Sequence, residues 1–137
     1  MSLKKYTTAS EKETILAAEK IASEFKGNEV VLLTGDLGAG KTVFTKGIAL
    51  GLGLKDINLV CSPSYTILNI YKAKFDIYHL DFYRLSKKET KQLGWEDYID
   101  CGVIVVEWAE KIDYKGKALR ISIKIGEDEE RVIRIKI

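Results

Sequence analysis

Proline is nearly missing from this 137-residue chain, and its single instance is Pro63. No Gly/Ser-rich linker, internal repeat or low-complexity run breaks the sequence either, so residues 1–137 read as one domain. Cysteine is also scarce. Cys61 and Cys101 are far apart and form no metal-ligand pair with the lone His79, and a reduced, cytoplasmic protein is expected. Long apolar runs are missing: Val103-Ile104-Val105-Val106 falls far short of a bilayer span, and no apolar segment follows the lysines of Met1–Tyr6. Neither a membrane contact nor a signal peptide is therefore expected. Charge of one sign is lacking as well. With 22 basic and 20 acidic side chains the net charge is +2, which argues against a large nucleic-acid footprint on this chain alone. What is present is ordinary globular composition, 46% hydrophobic and 31% charged, enough for one core with layers on both sides of a sheet.

The periodicities order themselves as helix, then strand–loop–helix, then strands. Ile15, Leu16, Ala18, Ile21, Ala22 and Phe25 recur at helical spacing behind Ser10, a candidate N-cap, and Gly27-Asn28 should stop that helix. Glu29–Thr34 reads as a short buried strand, and Phe44, Ile48 and Leu52 mark a second helix closed by Gly51 and Gly53. Tyr65–Tyr71 and Phe75–Asp81 alternate around a short polar link, the pattern of an antiparallel hairpin. Lys87–Leu93 is a short helix ended by Gly94, and Gly102–Trp108 is a fully apolar strand of the parallel-sheet kind. Leu119–Ile125 and Arg131–Ile137 alternate apolar with charged residues, predicting a hairpin with one wet face at the sheet edge. The expected fold is α/β: a three-layer sandwich like that of P-loop nucleoside triphosphatases, with a mixed, partly parallel sheet and a C-terminal antiparallel hairpin.

Between the first strand and the second helix lies Gly35-Asp36-Leu37-Gly38-Ala39-Gly40-Lys41-Thr42, which fits G-x-x-x-x-G-K-[ST] in the strand–loop–helix context the motif needs. Glycine lets successive backbone N–H groups turn toward one centre, and the helix start adds its positive dipole end. Residues Asp36 to Val43 are thus expected to wrap the phosphates of ATP, with Lys41 reaching the β- and γ-phosphates and the Thr42 hydroxyl a Mg²⁺ ligand. A glycine-rich turn that holds nothing is the bland alternative, and the flanking strand and helix count against it.

Hydrolysis also needs acids for the metal and the attacking water. Glu107 ends the apolar strand and would face the loop if that strand neighbours the first one, and Asp81 ends another. A solvated acid at a strand end is the plain reading of each. Ser62-Pro63-Ser64-Tyr65-Thr66 is either a turn entering a strand or a hydroxyl-bearing loop near the γ-phosphate, and residue types do not separate the two. By residue type alone Trp108 reads as core and His79 as a packed or hydrogen-bonded histidine.

The four segments together resemble the TsaE (YjeE) family of bacterial ATPases, which helps make threonylcarbamoyladenosine beside the anticodon of tRNA. The resemblance rests on the glycine loop Gly35–Thr42, on Ser62–Thr66, on His79-Leu80-Asp81-Phe82-Tyr83-Arg84-Leu85 and on Val106-Glu107-Trp108-Ala109-Glu110. It covers nearly the whole chain, and the H-x-D-x-Y-R and E-W pieces in combination are specific. Ser64 stands where threonine is usual and Tyr65 where phenylalanine is frequent, so a hydroxyl and a ring are kept.

By this resemblance Lys41 binds phosphate, Thr42 and Glu107 hold Mg²⁺, and Asp81 contributes through water or positions the nucleophile. Ser62, Ser64 and Thr66 belong to a switch region; His79, Tyr83, Arg84 and Trp108 are site neighbours; the adenine contacts come partly from around Thr7 to Glu11. The partner is the TsaB–TsaD complex, and tRNA is engaged indirectly. Arginine is scarce too: Arg120, Arg131 and Arg134 fall in the C-terminal hairpin, leaving Arg84 alone inside a site motif. An arginine contributed at the γ-phosphate is worth about 10³–10⁵ in rate, so slow hydrolysis without the partner is expected. Two other classes compete: a small-molecule or nucleoside kinase, for which no arginine-bearing lid insertion exists, and a non-catalytic nucleotide-sensing subunit.

Overall fold

The computed structural model describes residues 3–137. Ten regular elements follow one another: β1 (Leu3–Thr8), α1 (Glu11–Ala22), β2 (Val30–Thr34), α2 (Lys41–Gly51), β3 (Leu68–Lys72), β4 (Asp76–Asp81), α3 (Lys87–Leu93), β5 (Val103–Glu107), β6 (Leu119–Ile125) and β7 (Arg131–Lys136). The strands form one sheet in the order β1-β7-β6-β2-β5-β4-β3. Its centre is parallel, β2 pairing with β5 and β6 and β5 with β4, while β1/β7, β6/β7 and β3/β4 are antiparallel.

Both faces of the sheet are covered, which is why β2 and β5 are apolar up to their last residues, Thr34 and Glu107. Val31, Leu33, Val103 and Val105 face a core shared with α1 and α2. Their alternates Val30, Leu32, Ile104 and Val106 pack with Phe82 and Trp95 on the opposite side, beneath α3 and the turns after it. The three-layer architecture expected from the sequence is present.

α1 and α2 meet across small residues. Ala18 and Ala22 are fully buried, and a Cβ at Gly47 would collide with the Ile15 carbonyl and Ala18. Gly51 lies inside α2 and approaches Glu19 and Ala22 in the same way, so its role is close packing rather than the expected helix closure. On the sheet side Phe44 and Ile48 are fully buried.

Four expectations shift. Ser10 caps α1 by accepting from the Glu13 amide at 3.2 Å, but the helix ends at Ala22, ahead of Gly27. Tyr65–Ile67 does not join the hairpin strand: the Ile67 amide donates to the Pro63 carbonyl at 2.7 Å, Ile67 is left-handed (φ 72°), and β3 starts one residue later. β1 was not legible, since Leu3, Lys4 and Lys5 are exposed and only Thr8 is buried. Because β1 pairs with β7, the C-terminal hairpin is not the sheet edge; β6 sits directly against β2. Among the described residues no helix is long and apolar enough to cross a membrane.

Candidate nucleotide site

The loop between β2 and α2 leaves the central strand at the end of the sheet where β4 and β5 also finish. Gly40 precedes α2 with φ 106°, a left-handed conformation that a side chain would resist, and it offers no side-chain cap. The first-turn amides of α2 therefore meet no capping oxygen, the arrangement that suits an incoming anion. Gly35 is needed for a different reason: a Cβ there would meet the Ile123 carbonyl of β6 at 2.5 Å.

Lys41 is buried at the start of α2. Its Nζ donates to the Gly35 carbonyl at 2.6 Å and the Asp36 carbonyl at 2.9 Å, and lies 4.1 Å from the centre of the Trp108 ring. Burial lowers its pKa, against the opposing pull of Glu110, Glu107, Asp81 and Asp36. The ammonium is held over the loop by carbonyls and an aromatic face, with no carboxylate in direct contact among the described residues.

Opposite the loop, register places the two acids. Leu33 of β2 pairs with Glu107 of β5, and Glu107 with Asp81 of β4, so both carboxylates end at the level where the loop begins. Glu107 is buried, and the Thr42 hydroxyl donates to its two oxygens at 3.0 and 2.9 Å. Behind it, His79 is fully buried, with Nε2 2.5 Å from Glu107 Oε2 and Nδ1 2.9 Å from the Tyr71 hydroxyl. With Glu107 as the carboxylate, Nε2 donates to it. Burial raises the Tyr71 pKa, so the phenol keeps its proton behind Glu107.

Asp81 binds two neighbours, the Ser62 hydroxyl at 2.6 Å and the Tyr83 amide at 2.9 Å. The Ser62–Thr66 segment is thereby fastened to the end of β4. The Cys61 carbonyl and amide also bond to the Tyr71 hydroxyl, at 3.2 and 3.4 Å, so the same segment reaches Glu107 through Tyr71 and His79.

These groups line one cavity of about 510 Å³. Leu37, Gly38, Gly40, Thr42 and Val43 contribute from the loop side. Ser62, Ser64, Tyr83, Arg84 and Trp108 contribute from the other wall. Thr66 stays outside, exposed and donating to Asn69 Oδ1 at 3.2 Å. His79 stands behind the wall, and Ala39 is buried under the loop. Arg84 lies over the Tyr65 ring at 4.3 Å, and the Tyr83 ring leans on Trp108. From the N-terminal region Glu11 and Thr14 reach the cavity, and Thr14 is tied to Thr8 by a 2.7 Å hydroxyl bond.

Sequence reasoning missed Thr14, Glu129 and Arg131 in the cavity lining, and Glu110 beside the loop. Glu110 Oε2 accepts from the Gly35 amide at 3.0 Å. It is brought there because Trp108 takes a left-handed turn (φ 60°) that sends the chain back toward the loop. Glu110 falls inside the Val106–Glu110 piece, so its proximity to Glu107 was the available signal. Arg131 also lines the cavity, and its guanidinium Nε donates to the Ala39 carbonyl at 2.9 Å. Assigning it to the hairpin alone was incomplete; Arg84 is not the only arginine at the site. No local pattern marks Arg131, because β6–β7 reaches the loop only through sheet order.

A divalent cation fits the donor set. Thr42 and Glu107 offer hard oxygens at the head of α2, and among the described residues no group of three or more His, Cys, Asp or Glu side chains could hold a metal unaided. Such a partial set matches Mg²⁺, which takes one or two protein oxygens together with phosphate oxygens and water.

Comparison with known proteins gives the family of the chain. The family model described as "Threonylcarbamoyl adenosine biosynthesis protein TsaE" matches residues 8–134. The tRNA threonylcarbamoyladenosine biosynthesis protein TsaE of Rickettsia typhi is 39% identical over 96% of this chain and 93% of its own. The Bacillus subtilis protein of that name is 42% identical, over 94% and 82% respectively. The crystal structure of Bacillus subtilis YdiB superposes with a TM-score of 0.80 at 38% identity, covering 98% of this chain and 84% of that one. With the family match running from the end of β1 almost to the end of β7, through every segment that lines the cavity, this chain belongs to the TsaE family.

Proposed function

We propose that the protein binds ATP with Mg²⁺ and hydrolyses it to ADP and phosphate, in the service of threonylcarbamoyladenosine formation on tRNA. The observation that carries this reading is the pairing of the Thr42 hydroxyl with the buried Glu107 carboxylate at the head of a glycine loop and its lysine.

The chemistry follows from charge. Glu107 and Asp81 line the cavity beside Lys41, and Glu110 and Asp36 also act on its charge, so a polyphosphate meets more carboxylate than ammonium around Lys41. A cation between Glu107 and the phosphates removes that repulsion, and Thr42 and Glu107 would hold it. When bound, Mg²⁺ neutralises charge developing on the β- and γ-phosphate oxygens. Lys41 leaves the Gly35 and Asp36 carbonyls for phosphate oxygens, exchanging neutral acceptors for charged ones. His79 fixes Glu107 from behind. Asp81 has both oxygens engaged by Ser62 and Tyr83, so its role is to hold the Ser62–Thr66 segment where a hydroxyl can meet the γ-phosphate.

Arg131 is engaged by loop carbonyls, and Arg84 lies over the exposed Tyr65 ring with no hydrogen bond or ion pair among the described residues that would fix it at the γ-phosphate. On this reading hydrolysis is slow alone and accelerates with the TsaB–TsaD complex in the cytoplasm, resetting that complex between turnovers, with tRNA engaged only through it. The test is phosphate release by this protein with and without a TsaB–TsaD preparation. Stimulation of tenfold or more is expected, since a supplied arginine alone is worth about 10³ or more; equal rates would contradict the switch. Transfer of labelled γ-phosphate to an acceptor other than water would instead indicate a kinase.

A further inference from the structure

The glycine loop is supported by the C-terminal hairpin. β6 closes over Gly35 through the Ile123 carbonyl, and β7 begins with Arg131 beside Gly38 and Ala39. Arg131 Nε donates to the Ala39 carbonyl at 2.9 Å, and Nη2 to the Gly38 carbonyl at 3.4 Å. Nη1 donates to the Glu130 carbonyl at 2.8 Å and, at 3.5 Å, to that of Asp128. Every acceptor is a backbone carbonyl. Among the described residues no carboxylate pairs with this guanidinium.

A trans peptide is planar, with its C=O and N–H pointing in opposite directions. Holding the Ala39 carbonyl toward Arg131 therefore turns the Gly40 amide the other way. Gly40 sits at the head of α2 on the cavity wall, and among the described residues its amide finds no backbone acceptor. Its left-handed conformation leaves that peptide plane free to rotate unless something fixes it.

We propose that Arg131 is a positioning residue of the phosphate site. Its fork holds the Gly38 and Ala39 carbonyls and so fixes the Ala39–Gly40 peptide, with the Gly40 amide aimed at a bound phosphate before the ligand arrives. Preorganisation of this kind lowers the ordering cost of binding. It also gives the β6–β7 hairpin a function beyond covering the sheet. The inference rests on the loop being a phosphate site.

The test titrates a fluorescent ADP analogue into the wild type, Arg131→Ala and Arg131→Gln, each at low salt and at 1 M salt. Losing one charge-assisted hydrogen bond from the brace should weaken ADP about tenfold in Arg131→Ala. The Gln variant, which keeps an N–H donor without charge, should recover part of that loss. If Arg131 acted only as a distant charge, the deficit would vanish at 1 M salt, where screening extends only about 3 Å; a brace keeps the wild-type-to-variant ratio. Amide exchange at Gly40 should also be faster in Arg131→Ala while core amides are unchanged. Unaltered ADP affinity, or a deficit abolished by salt, would overturn the inference. If the Ala variant does not fold, the Gln variant is expected to bind severalfold more weakly than wild type, and equality there overturns it equally. A wild type that binds no ADP would remove the phosphate site itself, and that arm is read before any variant.

Discussion

The two walls of the cavity are built in opposite ways. One is continuous: β2, the glycine loop and α2 lie within residues 30–51, and their phosphate chemistry is written in local order. The other is gathered from Ser62, Asp81 and Glu107, each on a different stretch of chain, with Arg131 joining the cavity from the C-terminal hairpin. β2 stands between β5 and β6, so the strand that launches the loop has Glu107 on one flank and the hairpin that carries Arg131 on the other. A contiguous motif can specify binding by itself. Bringing Glu107 and Arg131 to the loop requires the whole sheet.

The largest effect expected on the contiguous wall comes from Lys41→Ala. Removing the only ammonium over the loop should weaken ATP and ADP by a hundredfold or more, about 3 kcal/mol, as measured by titration calorimetry. Because burial lowers its pKa, Lys41 should lose its charge, and the protein its nucleotide affinity, at lower pH than an ordinary lysine would. The sign is fixed: the charged form binds phosphate, so affinity falls as pH rises through the lowered value. Affinity that stays flat to the ordinary lysine range would place Lys41 away from the phosphates.

A smaller effect is expected on the gathered wall. Ser62→Ala removes the 2.6 Å bond to Asp81 and loosens the Ser62–Thr66 segment. Phosphate release should drop about tenfold, the cost of one charge-assisted hydrogen bond, with ADP affinity nearly unchanged. A matching loss of ADP affinity would erase the contrast between the walls.

This contrast also explains what the sequence disclosed. β2 and β5 were legible because both faces of each are buried, leaving unbroken apolar runs. The loop was legible because its chemistry lies within one turn of chain. β1 was hidden because Leu3-Lys4-Lys5-Tyr6-Thr7-Thr8 has little apolar content, and its place comes from pairing with β7. Residues 65–67 alternate like a strand, yet the 2.7 Å bond from the Ile67 amide to the Pro63 carbonyl turns them into a loop. His79 carried no individual mark; its placement behind Glu107 follows from the parallel register of β4 and β5. Arg131 was lost for the same reason in stronger form, since its partner Ala39 is 92 residues away.

The most direct measurement compares Mg²⁺-dependent phosphate release and ADP binding in the wild type and Glu107→Gln. The substitution keeps the shape of the Thr42–Glu107–His79 array and removes the charge that would hold the cation. Release should fall about a hundredfold or more, as when a charge-stabilising group is lost from a site, while ADP measured without Mg²⁺ binds within about threefold of wild type. Release by Glu107→Gln at the wild-type rate, with the same Mg²⁺ dependence, would contradict the assignment of Glu107 as the acid that completes the site.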